Sequence, residues 1–379
     1  MSVLIIGDTM RNPEMRHEVP IGIPDPFLYA ELDGRRIVAI SSMEAIRVEG
    51  LGTGLEVHTF EEYGADELRR KHRDRYAFTR ELIVRAVKAL GIEKASVPGK
   101  FPVQHSDAIR EAGVELVVDQ PHFDERRRQK SDHELEGIRR AQKAAEAGVA
   151  TARELLARAD RSNGMLKLEG KPLTCELLKQ HVQATFLEHG AIAEEMILSH
   201  GPQTAVGHDM GSGQIAADDV VMLDLFPVDL ESACFADLTR TVAFGEIPEE
   251  VESWHALCRE AMDLVSAEVR PGAHGSDLHR VVSEFFSDRG FPTVLTKPDG
   301  EVLTDGFYHG LGHGVGLEVH EAPSLGIIGE ELVVGDVITL EPGLYRQGFG
   351  GVRVEDLLLV TEDGYERLTD CPYELELGT

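Results

Sequence analysis

Residues able to hold a divalent cation recur at matched spacings in the second half of this 379-residue chain. The segment FYHGLGHGVGLEVHE, from Phe307 to Glu321, sets His309, His313 and His320 among glycines, with acidic residues before and after it. In VVMLDLFPVDLESACFADLTRT, an apolar run from Val220 is interrupted by Asp224 and followed thirteen residues later by Asp237. An antiparallel hairpin turning at Leu230 and Glu231 would pair Val228 with Ala233, Phe226 with Phe235 and Asp224 with Asp237. The two carboxylates would then face each other at Cβ separations of roughly 4.5 to 5.5 Å. Like charges so placed repel, and their desolvation is unfavourable. A cation between them reverses the sign, because carboxylate oxygens and imidazole nitrogens converging on one point are what a hard or borderline metal requires.

The device recurs. VITLEPGLY places Glu341 at the end of an apolar strand. Fourteen residues on, after a glycine-rich turn at Gly348, Gly350 and Gly351, GVRVEDLLLV supplies Glu355. Alternation puts Arg353 and Glu355 on one face and Val352 and Val354 on the other. The two acid-bearing hairpins stand about 117 residues apart, which reads as an internal duplication with two halves closing on one site. His313 lies between them in sequence, and its glycine neighbours allow close backbone approach. An isolated Asp in a strand is ordinarily an edge charge or a cap. Five such residues in this order would each need a separate structural role.

The set DLFPVDLESACFADLTRT, HGLGHGVGLEVHE, ITLEPGLY and GVRVED resembles the metallopeptidase family that includes aminopeptidase P, Xaa-Pro dipeptidase (prolidase) and methionine aminopeptidase, over roughly residues 121 to 379. The resemblance implies an α+β pita-bread catalytic domain, a pseudo-twofold antiparallel sheet with helices. It also implies that Asp224, Asp237, His313, Glu341 and Glu355 bind two divalent ions, with Asp237 and Glu355 bridging. The Asp224 to Asp237 interval is two residues longer than the family's usual one, a difference expected in the turn. Two such ions share and acidify a water and polarise a carbonyl, which suits amide hydrolysis by a bridging hydroxide. Glu341 is implied as the proton shuttle, His320 as the oxyanion donor, and His208 and His309 as groups facing the residue on the leaving side. Arg353 is either a clamp for a free substrate carboxylate, which its fork matches, or an ion-pair partner orienting Glu355. His200, His255, His274 and His279 are expected in surface or packing roles, and Tyr308 and Tyr345 as half-buried aromatics.

These residues need a scaffold, and the chain is too long for one average core, so two domains are expected: 1–122 and 123–379. In the first, a smaller α/β unit, FLYAEL and RRIVAI form a hairpin around Asp33-Gly34, a helix runs from about Ala65 to Leu90, and VELVVD at 114–119 is a buried strand. Pro121 and the basic island Arg126, Arg127, Arg128 and Lys130 mark the boundary, the island forming a solvated or interdomain face. Helices are expected from Ser131, in a capping box with Glu134, to about Arg158, from Thr174 to His189, from Pro248 to before Gly272, and from Ser276 to Arg289.

A domain of about 120 residues ahead of the catalytic one is what prolidases, aminopeptidases P and creatinases carry and methionine aminopeptidases commonly lack. Creatinase-like members lack the full ligand set. Cleavage of Xaa-Pro bonds in short proline-containing peptides is therefore the leading expectation. The alternatives are a non-peptidase pita-bread enzyme, a lyase or amidohydrolase on a small metabolite, and a non-catalytic binding protein. No HExxH helix points to a single-zinc peptidase. The ligand types admit manganese, cobalt, iron or zinc, with manganese placed first.

Composition sets outer bounds. At 42% apolar and 28% charged residues the chain is globular, and no stretch approaches 18 apolar residues, so no membrane span is expected. The start lacks a signal-peptide pattern. Cys175, Cys234, Cys258 and Cys371 are scattered, so free thiols in the cytoplasm are expected. A net charge of −29 disfavours nucleic acid as a partner. A homodimer is implied by the resemblance alone.

Overall fold

The computed structural model describes residues 1–377; Gly378 and Thr379, the end of the second expected domain, lie outside the described residues. The chain divides into two compact units, Met1–Arg127 and Arg128–Thr379.

The first unit is built on a six-stranded mixed sheet in the order Glu56–Thr59, Arg35–Ile40, Phe27–Leu32, Ser2–Gly7, Lys94–Val97, Glu115–Val118. The apolar run VLII becomes a central strand, its side chains alternating between two cores. The Phe27–Leu32 and Arg35–Ile40 hairpin turns where expected, with Asp33 and Gly34 both at positive φ, 51° and 76°, as a two-residue primed turn demands. Two expectations are corrected. The helix from Ala65 to Leu90 is two helices, Ala65–Lys71 and Arg75–Ala89, because Asp74 caps a fresh N-terminus through Tyr76 and Ala77 amides. Glu115–Val118 is an edge strand with Glu115 and Val118 exposed, not a buried one.

The second unit repeats one plan. Helices Asp132–Arg158 and Cys175–Glu188 back the antiparallel strands Ile197–His200, Val220–Leu225 and Leu238–Ala243. Helices Glu249–Ser266 and Gly275–Ser287 likewise pack with a second antiparallel group that includes Gly312–Gly314, Val337–Leu340 and Asp356–Thr361. Asp132, Val220 and Asp224 each stand 117 residues before their counterparts Glu249, Val337 and Glu341, so the duplication read from the acidic residues extends to helix and strand starts. All four expected helices form within two residues of their expected starts, and the first has the reciprocal Ser131–Glu134 capping box. Val221, Leu223 and Leu225 face the first helix pair, and Val352 and Val354 join the core under the second. That leaves Asp224, Arg353 and Glu355 on the opposite faces.

The basic island is not a solvated face. Within the first unit, Arg126 pairs with Glu18 and Glu31, and Arg127 with Glu14 at 3.5 Å. Within the second, Arg128 pairs with Asp336 at 2.6 Å and Lys130 with Glu321 at 2.5 Å, the last two side chains only 2% and 4% exposed. Pro121 lies inside helix Gln120–Arg128. Among the described residues no helix is long and apolar enough to cross a membrane.

Candidate metal centre

The two hairpins deliver their acids differently. In the first, Asp224 lies opposite Thr239 and Leu225 opposite Leu238, with Val228 bridging Phe235, so the expected pairing of Asp224 with Asp237 is off by two residues. The cause is turn chemistry. The Asp229 carboxylate accepts from the Ser232 amide and hydroxyl, both at 2.7 Å, and Ala233 takes φ 64°, which centres the turn one residue later than Leu230-Glu231. Asp237 therefore sits diagonal to Asp224, on the same face. In the second hairpin one register runs through: Leu340 opposes Asp356 and Gly343 opposes Arg353, which sets Glu341 across from Glu355 where the chain passes from one ladder to the next.

The ends meet. One ligand atom each from Asp237, His313 and Glu355 lie within 4.8 Å of one another, and His313 Nε2 is 3.7 Å from Asp237 and 3.9 Å from Glu341. Asp224, 8% exposed, lines the same cavity of about 720 Å³, as do Glu341, His208, His309, His320 and Arg353. His208 and His320 stand at its exposed rim, and the His320 ring lies 4.2 Å from that of His313. His309 is deeper. Its Nδ1 donates to Gly310 O at 2.7 Å and its Nε2 is 2.9 Å from the Tyr345 hydroxyl, which makes Tyr345 the donor if the imidazole is neutral.

Electrostatics mark the centre as incomplete without a cation. Burial, then the charges of Glu355, Asp224 and Glu341, push the Asp237 carboxyl well above its usual range, and burial with Glu341 and Asp224 does the same to Glu355. Burial holds Glu341 near 7 against the pull of Arg353. Asp237 Oδ1 is buried with no hydrogen-bond partner. Burial, then His320, lowers His313 to about 3, and since its Nδ1 faces Gly314 O at 3.2 Å, the lone pair of Nε2 points at the carboxylates. An oxygen-rich donor set with one neutral imidazole and an orphaned carboxylate oxygen fits a divalent ion.

Arg353 departs from both expected roles. It is 4% exposed; Nη2 pairs with Asp224, Nη1 donates to the Tyr345 hydroxyl at 3.0 Å, and Nε to Thr239 Oγ1 at 3.2 Å. The fork is spent on the protein, and its carboxylate is that of Asp224, not Glu355. Glu355 instead accepts from Thr239 Oγ1 at 2.6 Å. Two contributors were passed over in the sequence. Tyr345, 1% exposed, sits between His309 and Arg353; a Cβ at Gly343 or Gly351 would come within 2.3 Å of it, so the flanking glycines were its signal. Thr239 was legible as the next same-face residue after Asp237 in DLTRT.

Comparison with known proteins agrees with this arrangement. The chain is 34% identical over 185 residues to the Xaa-Pro dipeptidase of Pyrococcus furiosus, a match covering 48% of this chain and 49% of that one. It thus spans about half the length of such curated relatives. An uncharacterized peptidase of Staphylococcus haemolyticus is 31% identical over 273 residues, 71% of this chain and 67% of that one. Among solved structures, a Xaa-Pro dipeptidase from Bacillus anthracis superposes with a TM-score of 0.78 at 22% identity, covering 99% of this chain and 94% of that one, so the α+β pita-bread fold with its preceding smaller unit is shared. The family model of metallopeptidase family M24 matches residues 136–362, which spans both hairpins and all the gathered carboxylates: the chain belongs to metallopeptidase family M24.

Proposed function

We propose that this chain is a metal-dependent peptidase that cleaves the Xaa-Pro bond of dipeptides or short peptides. The observation that carries the reading is the convergence of Asp224, Asp237, His313, Glu341 and Glu355 on one cavity, in a chain whose relatives include a named Xaa-Pro dipeptidase. In this reading those five residues hold two divalent ions, manganese first among them. Bound there, the ions supply Lewis acidity and a water acidified towards neutrality. Glu341, whose buried carboxyl is poised near 7, takes that water's proton and hands it to the leaving nitrogen. His320, on the exposed rim, donates to the developing oxyanion. His309, fixed by Gly310 and Tyr345, and His208 orient the residue on the leaving side. Residues 1–122 serve as the creatinase-like N-terminal domain and 123–379 as the catalytic one, in a cytoplasmic homodimer. No observation favours a non-peptidase substrate.

The deciding experiment is turnover of Xaa-Pro dipeptides and longer Xaa-Pro peptides across a series of Mn, Co, Fe and Zn, with Glu341→Gln as the inactive control. Release of proline or of an N-terminal residue, abolished in Glu341→Gln, is expected. A metal-loaded protein inert on every Xaa-Pro peptide overturns the reading.

A further inference from the structure

Behind the carboxylates, on the face of strand Leu238–Ala243 opposite Thr239, lies a second arginine, Arg240. It is 1% exposed, and its donors are fully used. Nη1 donates to Glu355 O at 2.7 Å and to Thr239 O at 2.9 Å; Nη2 donates to Asp356 Oδ1 at 2.9 Å and to Cys371 O at 2.7 Å; Nε donates to Pro372 O at 3.0 Å. A guanidinium has five N–H groups, so these five contacts exhaust it. The backbone of Glu355 is thereby held at both polar atoms, since its amide also donates to Thr239 O at 3.1 Å.

The other end of the same network is the C-terminal segment. The Tyr373 ring lies 4.2 Å from Arg240 Cζ and 5.0 Å from Arg259 Cζ. Its hydroxyl donates to Asp356 Oδ2 and accepts from Arg367 Nη1 at 2.6 Å. Asp356, wholly buried, is thus shared by Arg240, Arg367 and Tyr373, and its chain neighbour is Glu355.

We infer that Arg240 is a positioning residue through which the C-terminal segment Cys371–Tyr373 holds Glu355 in place for metal binding. The inference rests on the function proposed above. Partners behind the ligands fix ligand direction, and losing one typically weakens metal binding about 10- to 100-fold. Because coupling between two sites is reciprocal, metal uptake at the carboxylates tightens the C-terminal segment. A core residue of merely structural role would lower stability and leave affinity alone.

The test uses the full chain and Mn2+ alone. Metal-free wild type, Arg240→Met and Tyr373→Ala are titrated calorimetrically, and amide exchange over residues 371–377 is followed with and without Mn2+. Arg240→Met is expected to bind about 10- to 100-fold more weakly, and Tyr373→Ala, a half-buried change away from the ligands, several-fold more weakly. Slowing of 371–377 exchange by Mn2+ is expected in wild type and lost in Tyr373→Ala. Should Arg240→Met not fold, Tyr373→Ala decides. Wild-type affinity in Tyr373→Ala, or exchange indifferent to Mn2+ in a wild type that binds it, overturns the coupling alone, whereas a wild type that takes up no Mn2+ overturns the proposed function and the coupling with it.

Discussion

Thr239 and Glu355 are joined twice, by the Thr239 hydroxyl donating to Glu355 Oε2 at 2.6 Å and by the Glu355 amide donating to the Thr239 carbonyl at 3.1 Å. One residue follows the first hairpin's acid by two positions and the other is the second hairpin's acid. The two halves are therefore stitched together at the centre itself. Replacing Thr239 by Val keeps the backbone bond and strips the side-chain one, leaving a buried carboxylate oxygen short of a donor. A loss of about 1–3 kcal/mol is expected, read from urea unfolding of the metal-free protein. An unchanged midpoint would show that the hydroxyl bond adds nothing.

Asp237 makes the opposite case. Its carboxyl is buried among like charges with one oxygen orphaned, so Asp237→Asn should raise the melting temperature of the metal-free protein while abolishing stabilisation by Mn2+. For wild type that stabilisation is about 2.7 kcal/mol at a hundredfold excess over Kd. Thermal scans with and without Mn2+ separate the two effects, and a metal-free variant less stable than wild type contradicts the account.

Tyr345 bridges His309 and Arg353 through one hydroxyl. In Tyr345→Phe the ring still packs between Gly343 and Gly351, so the fold should survive. His309 loses the donor that sets its orientation, and kcat/KM on an Xaa-Pro peptide should fall roughly tenfold or more, about 1.4 kcal/mol. Activity equal to wild type would exclude His309 orientation as a catalytic factor.

His255 governs acid sensitivity away from the centre. Burial, then Arg259, lowers it to about 4 from 6.5, and its Nε2 has no partner among the described residues. The folded chain keeps it neutral while the unfolded chain protonates it, so this contribution is intact above about pH 6.5 and drains away as pH falls towards about 4. The integrated loss is roughly 3 kcal/mol. His255→Leu should flatten the stability profile between those limits in urea titrations at fixed pH; an unaltered slope would assign the acid loss elsewhere.

What could be read in advance followed from periodicity and caps. Asp224, Asp237, His313, Glu341 and Glu355 were legible because a charged residue in an otherwise apolar strand demands a partner, and Ser131 with Glu134 announced a helix by reciprocal capping. The first hairpin's register was not, because it hangs on Asp229 turning back to Ser232, a contact that competes invisibly with the simpler two-residue turn. Arg353 was misassigned for a related reason. Alternation gives its face but not which of several carboxylates on that face it meets. The role of Lys130 was hidden because its partner Glu321 is far along the chain, and a run of four basic residues looks alike whether solvated or paired.

That last pair bears on how the protein can be divided. The family match begins at residue 136, and a fragment cut to it would discard Lys130 while keeping Glu321, the neighbour of His320, as a lone anion in a dry interior. Severing one side of such a pair typically costs about 3–5 kcal/mol. A soluble-looking truncation begun at 136 would thus arrive with a warped rim, and its inactivity would say nothing about the intact enzyme.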